Sequence, residues 1–119
     1  MLEPFMSEWV DGKIVNDLST EAVILSISIA SGLGNSSAYS WLKLPVVPDM
    51  ERVMASTTLP TLLLGGDPQG DAEETFASWA HALSLPGVRG LVVGRSLLYP
   101  ADGDVAAAID TAAALVHGS

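Results

Sequence analysis

Residues 59–68 read LPTLLLGGDP. A five-residue apolar run, Pro60 to Leu64, stopped by Gly65-Gly66, is too short for a helix and suits a strand over residues 60–64. The run is continuous rather than alternating, as expected of a parallel strand covered on both faces. Downstream, the loop Asp67-Pro68-Gln69-Gly70 leads into Asp71-Ala72-Glu73-Glu74, a carboxylate form of the capping box. A helix follows, with Phe76, Trp79, Ala80 and Leu83 as the stripe facing a sheet. Residues 88–93 form the next strand, interrupted by Gly90 and closed by Gly94-Arg95-Ser96. Asp104 then caps a last helix, with Val105, Ala108, Ile109, Ala112 and Val116 as its apolar face and Gly118 at its C-terminal cap.

Upstream the pattern repeats. Residues 40–44 form a strand stopped by Pro45 and Pro48, and residues 49–55 form a helix that turns Met50, Val53 and Met54 inward and Glu51 and Arg52 to water. Residues 2–6 form the first strand, and a polar stretch over 7–18 contains Asp11-Gly12. A helix starts at Ser19 or Thr20 and ends at Gly32-Leu33-Gly34-Asn35. Its apolar surface wraps nearly all round, which describes a buried helix.

Four consecutive βα units predict an α/β fold with parallel strands and right-handed crossovers. Two architectures fit: half of a (β/α)8 barrel, or an open flavodoxin-like parallel sheet. Glycines after the third and fourth strands, rather than after the first, favour the barrel arrangement of a phosphate site.

The 119 residues make a single domain, residues 1–119, with a net charge of −9, which excludes a general nucleic-acid binder. There is no cysteine, so neither disulfides nor thiolate metal sites are expected, and His81 and His117 are too far apart for a zinc helix. No metal and no cofactor is expected. With 49% hydrophobic residues and a mean hydropathy of +0.39, part of the apolar surface is expected to lie against a partner, a second copy or a missing half of the fold. The longest apolar run, residues 22–33, falls short of the ~20 residues needed to span a bilayer. Residues 1–10 carry Glu3 and Glu8 and no basic stretch, so no secretory leader and a cytoplasmic location are expected.

Lys43 is one of two lysines, within Trp41-Leu42-Lys43-Leu44-Pro45. Strand alternation sets Leu42 and Leu44 on the helix-packed face and turns Trp41 and Lys43 to the other, which in a barrel is the interior. An amine in an apolar interior loses hydration of its charged form and becomes a nucleophile able to form an imine with a carbonyl. The alternative is a strand-end lysine reaching solvent. Glu3, the only carboxylate on the first strand, is a candidate acid or base opposite the amine, or an ion-pair partner. Gly65, Gly66, Gly94 and Arg95 can present backbone amides and a guanidinium to a phosphate. Tyr39 and Tyr99 are further hydroxyl donors. His81 reads as a surface residue, His117 suits the C-terminal end of its helix, and Trp9, Trp41 and Trp79 read as packing residues.

The succession WLKLPVV, LPTLLLGGDP and VRGLVVGRSLLYP resembles the closing strands of class I, Schiff-base aldolases of the DeoC/LacD group, which includes deoxyribose-phosphate aldolase and archaeal-type fructose-bisphosphate aldolase. The resemblance implies strands five to eight of a (β/α)8 barrel, with the N-terminal half absent. It is strongest to an actinobacterial branch associated with sugar or inositol catabolism. Lys43 matches the imine-forming lysine, Gly65 and Gly66 the diglycine after strand seven, and Gly94 and Arg95 the phosphate-gripping pair after strand eight. The implied activity is a lyase reaction, reversible carbon–carbon cleavage of a phosphorylated or small polyhydroxy carbonyl compound. Residues 61–64 lack the second lysine of deoxyribose-phosphate aldolase, so the fructose-bisphosphate branch fits better.

Overall fold

The computed structural model describes residues 1–33, 39–65 and 71–118. The fold is mixed α/β. Elements follow in the order β1 (Met6–Val10), β2 (Lys13–Asp17), α1 (Thr20–Ser31), β3 (Leu42–Pro45), α2 (Met50–Ala55), β4 (Thr61–Leu64), α3 (Ala72–Leu83), β5 (Val88–Val92), α4 (Arg95–Leu98) and α5 (Val105–His117).

β3, β4 and β5 form a parallel sheet in sequential order. Leu42 and Leu44 are fully buried, with Leu63 beside them, and on this face they meet Val23 and Ile27 of α1, Val53 of α2 and Ala82 of α3. The alternation expected of residues 42–44 therefore holds. In a sequential parallel sheet, right-handed crossovers put successive helices on the same face, and the core lies on that face. A register shift between Thr61 and Leu62, opposite Val88 and Gly90, marks the irregularity that Gly90 had signalled.

Residues 2–6 do not form the expected strand. Leu2 makes one parallel bridge to Leu42: its amide donates to the Trp41 carbonyl at 2.7 Å and its carbonyl accepts from the Lys43 amide at 2.8 Å. Pro4 has no N–H with which to extend the ladder, and Met6 already belongs to β1. The polar stretch over 7–18 is an antiparallel hairpin, with Trp9 opposite Ile14 and Val10 opposite Lys13. Asp11 (φ 49°) and Gly12 (φ 76°) are both left-handed, the geometry of a two-residue hairpin turn whose twist matches its strands.

The helix boundaries follow their caps. The Ser19 hydroxyl accepts from the Ala22 amide at 3.2 Å, Asp49 from Arg52 at 3.3 Å, Asp71 from Glu73 at 2.9 Å and Asp104 from Ala107 at 3.0 Å. The Asp71 cap is single, because Glu74 makes no return bond. Gly118, in the left-handed region, ends α5 as expected. Two faces differ from expectation. α1 buries Thr20, Ala22, Val23, Ser26, Ile27 and Ala30 and leaves Leu25 and Ile29 half-exposed, so it is not a wholly buried helix. On α5, Ala108 and Ala112 are buried whereas Ile109 and Val116 face outward. The second face of β4 is also less covered than a continuous apolar run implies, with Leu62 and Leu64 only half-buried. Among the described residues, no helix is long and apolar enough to cross a membrane.

Candidate functional site

The Leu2 bridge sets the register that forms the site. Since Leu2 pairs with Leu42, the next residues along, Glu3 and Lys43, project from the same side of the sheet, away from the helices. The Lys43 Nζ lies 3.3 Å from the Glu3 Oε1. The lysine side chain is 19% exposed and the glutamate 43%, so the amine is sheltered while the carboxylate remains open to solvent. The cross-strand neighbours of Lys43 are Leu62 and then Gly90, and a side chain at Gly90 would sit 3.6 Å from the Leu62 Cδ2. Lys43 therefore stands in a row with Leu62 and with Gly90, which is buried beneath the Leu62 side chain. A carboxylate within proton-transfer reach of a sheltered amine is an arrangement able to support addition of that amine to a carbonyl compound.

The glycine candidates meet different fates. Gly65 follows β4, where an added Cβ would lie 2.7 Å from the Val93 Cγ1 and 2.9 Å from its Cβ, so close packing between adjacent strand ends requires glycine there. Gly66 lies outside the described residues, as do Gly34-Asn35 and the loop over 67–70. Gly94 is the N-cap of the four-residue helix α4, and Arg95 is its first residue, exposed. Because the strands are parallel, Gly65 and Gly94 leave the sheet at one end. Lys43 is two residues short of that end, about 7 Å along the strand.

Other candidates are placed apart from this row. The His81 Nε2 is 2.5 Å from the Glu51 Oε1, joining α3 to α2 at the surface. The Glu51 carboxyl is held below its ordinary value by its own backbone amide and by His81. Arg52 pairs with Glu21 of α1 at 2.9 Å. Tyr39 and Tyr99 are exposed, and His117 ends α5. Of the tryptophans, only Trp79 is a packing residue, 2% exposed and edge-on to Phe76. Trp9 and Trp41 are 74% and 41% exposed, because Trp9 sits on an uncovered hairpin face and Trp41 precedes the sheet.

Sequence reasoning did not anticipate a cavity of about 410 Å³ between α3, α4 and α5, lined by Phe76, Trp79, Ser96, Tyr99 and Ala108 among others. The Ser96 hydroxyl is buried there without a hydrogen-bond partner. No motif could have revealed it, since it forms where a short helix unmarked by any cap signal meets two longer ones.

Comparison with known proteins gives one consistent result. Residues 1–113 match the model of the Cgl0159-like family. A solved structure, Cgl0159 from Corynebacterium glutamicum (Brevibacterium flavum), is 73% identical, with a TM-score of 0.92 over 98% of this chain. The chain spans 39% of that protein's length. No curated protein matches. These findings overturn the resemblance to class I aldolases of the DeoC/LacD group as a family assignment. The segments that suggested it are apolar strands closed by glycine and proline, which parallel α/β sheets require for packing irrespective of their chemistry. The chain belongs to the Cgl0159-like family.

Proposed function

We propose that this chain carries the imine-forming centre of a carbon–carbon lyase acting on a phosphorylated or small polyhydroxy carbonyl compound in the cytoplasm, with Lys43 as nucleophile and Glu3 as its proton-exchange partner. The observation that carries the reading is the 3.3 Å approach of the Glu3 carboxylate to the sheltered Lys43 amine on the helix-free face of a parallel sheet. Lys43 would add to the substrate carbonyl, and loss of water would give a protonated imine. That cation accepts the electron pair as the neighbouring carbon–carbon bond breaks, while Glu3 takes up the hydroxyl proton of the departing carbonyl fragment. Protonation of the remaining carbanion equivalent and hydrolysis of the imine return the free amine. Gly65, Gly66, Gly94 and Arg95 would hold the substrate phosphate.

For the scaffold, half of a (β/α)8 barrel is favoured over a flavodoxin-like sheet. Sequential strand order and a core on one face support it, since a doubly wound sheet reverses its order and carries helices on both faces. The short helix α4 after β5 also corresponds to the extra helix that barrels use beside a phosphate.

The test is borohydride reduction in the presence of a three-carbon ketone phosphate, read by intact mass. A stable adduct on the native chain that is absent from Lys43→Met supports the reading. No adduct, with inorganic phosphate still bound, contradicts it in favour of a non-catalytic anion-binding module.

A further inference from the structure

The cavity between α3, α4 and α5 holds about 410 Å³, within the range of small-molecule sites. Its described lining residues fall between positions 71 and 111, on these three helices and the turn joining α4 to α5, and neither Glu3 nor Lys43 is among them. Much of the wall is aromatic. Phe76 and Trp79 stand edge to face with ring centroids 5.4 Å apart, and Tyr99, which lines the cavity yet is 74% exposed, forms part of its mouth. Ser96 also lines it, and its hydroxyl oxygen is buried with no hydrogen-bond partner among the described residues. A buried hydroxyl left in this way is costly unless something binds it.

Charge decides what fits. Asp71, Asp102 and Asp104 line the cavity, and no lysine, arginine or histidine is among its described lining residues. Each of these carboxylates commits its Oδ1 to a backbone amide, that of Glu73, Asp104 and Ala107 in turn. An ionised carboxylate has a second oxygen with acceptor capacity of its own. The N-termini of α3 and α5 lie here too, since Asp71 and Asp104 are their caps, but each adds only about half a positive charge. Against three full negative charges the balance is about −2, which repels an anion and draws in a cation. We propose that this cavity binds a small organic ammonium ion with an apolar body. The body lies against Phe76, Trp79 and Tyr99, the ammonium group is held by the three carboxylates, and the Ser96 hydroxyl is a further hydrogen-bonding group for the ligand. Aromatic faces favour the same charge, because a cation is attracted to the ring quadrupole. The phosphorylated compound proposed for Lys43 carries the opposite charge, so the two ligands differ in class, and this inference stands whether or not Lys43 forms an imine.

The experiment titrates phenethylamine into the full chain by calorimetry and maps the site by amide chemical shifts. Phenethyl alcohol and phenylacetate serve as its neutral and anionic counterparts. The amine is expected to bind about tenfold or more tightly than either, to shift amides within residues 71–79 and 96–111, and to lose affinity as salt is raised. Asp102→Asn keeps an acceptor for the Asp104 amide and removes the charge, and it should weaken binding about threefold or more. Ala107→Trp fills the cavity from an exposed position and should abolish binding while the chain stays folded. Lys43→Met should bind the amine as the native chain does, which separates this site from the imine chemistry. Equal affinity for the alcohol, or tighter binding of phenylacetate, overturns the inference. So does the absence of binding at millimolar amine, a set of shifts centred on Lys43, or undiminished affinity in Asp102→Asn or in folded Ala107→Trp.

Discussion

At the scale of single residues, the proposed chemistry rests on Glu3 and Lys43, which meet because one backbone bridge sets their register. Glu3→Gln keeps the size of the side chain and removes its capacity to accept a proton. It is expected to slow imine formation and cleavage about a hundredfold while leaving the melting temperature nearly unchanged, as checked by single-turnover trapping beside calorimetry. An equal rate in the variant would remove Glu3 from the mechanism. Gly65 is a residue whose role changes with the geometry in view. A methyl group there would collide with Val93, so Gly65→Ala should destabilise the fold by about 1–3 kcal/mol in urea denaturation, with or without any phosphate. A neutral effect would show that the two strand ends separate easily.

At the scale of elements, the caps and the hairpin turn can be tested one by one. Asp71→Ala removes a side chain that accepts from a free amide at the start of α3 and should cost about 1 kcal/mol, as Asp104→Ala should for α5. Gly12→Ala forces a side chain into a φ of 76° and should cost about 1 kcal/mol, seen as faster amide exchange confined to β1 and β2. The elements that could be read from the sequence were those with local signals: the run Thr61–Leu64, the methionines of α2 and the capping aspartates. The hairpin was missed although Asp11-Gly12 stood between alternating residues, because Glu8, Lys13 and Asn16 made the stretch look like a loop and its strands bury almost nothing. The first strand was over-read because Pro4 limits it to a single bridge. Composition does not decide which side of an apolar helix is covered when both sides are apolar, and this is why Leu25 and Ile29, on a helix expected to be buried all round, and Ile109 and Val116 of α5 stand exposed against expectation. The site was legible as Lys43 facing away from Leu42 and Leu44, but its contact with Glu3 depends on a long-range register that no local pattern encodes.

At the scale of the whole molecule, three exposed carboxylates link stability to acid. Asp17 is held below its ordinary value of 3.8 by the Ser19 amide and hydroxyl, Glu21 below 4.5 by its own backbone amide and then by Arg52, and Glu51 below 4.5 by its own backbone amide and then by His81. Carboxyls depressed in the folded state contribute stability that is present above those ordinary values and is lost as the pH falls below them. Thermal midpoints should therefore hold between pH 7 and 5 and decline from pH 4.5 downward, less steeply in Arg52→Met, which releases Glu21. Lys43, the amine proposed to react, stands on the half-covered face of the sheet, and the second lysine, Lys13, supplies an internal control. Lys13 lies on the exposed hairpin and Lys43 on the helix-free face of the sheet beside Glu3. The most direct measurement is peptide mapping after reductive trapping with a three-carbon ketone phosphate, scored as the ratio of label on Lys43 to label on Lys13. Label concentrated on Lys43, and reduced towards the Lys13 level by Glu3→Gln, is the predicted result. Equal labelling of the two lysines, or more on Lys13, would contradict the account.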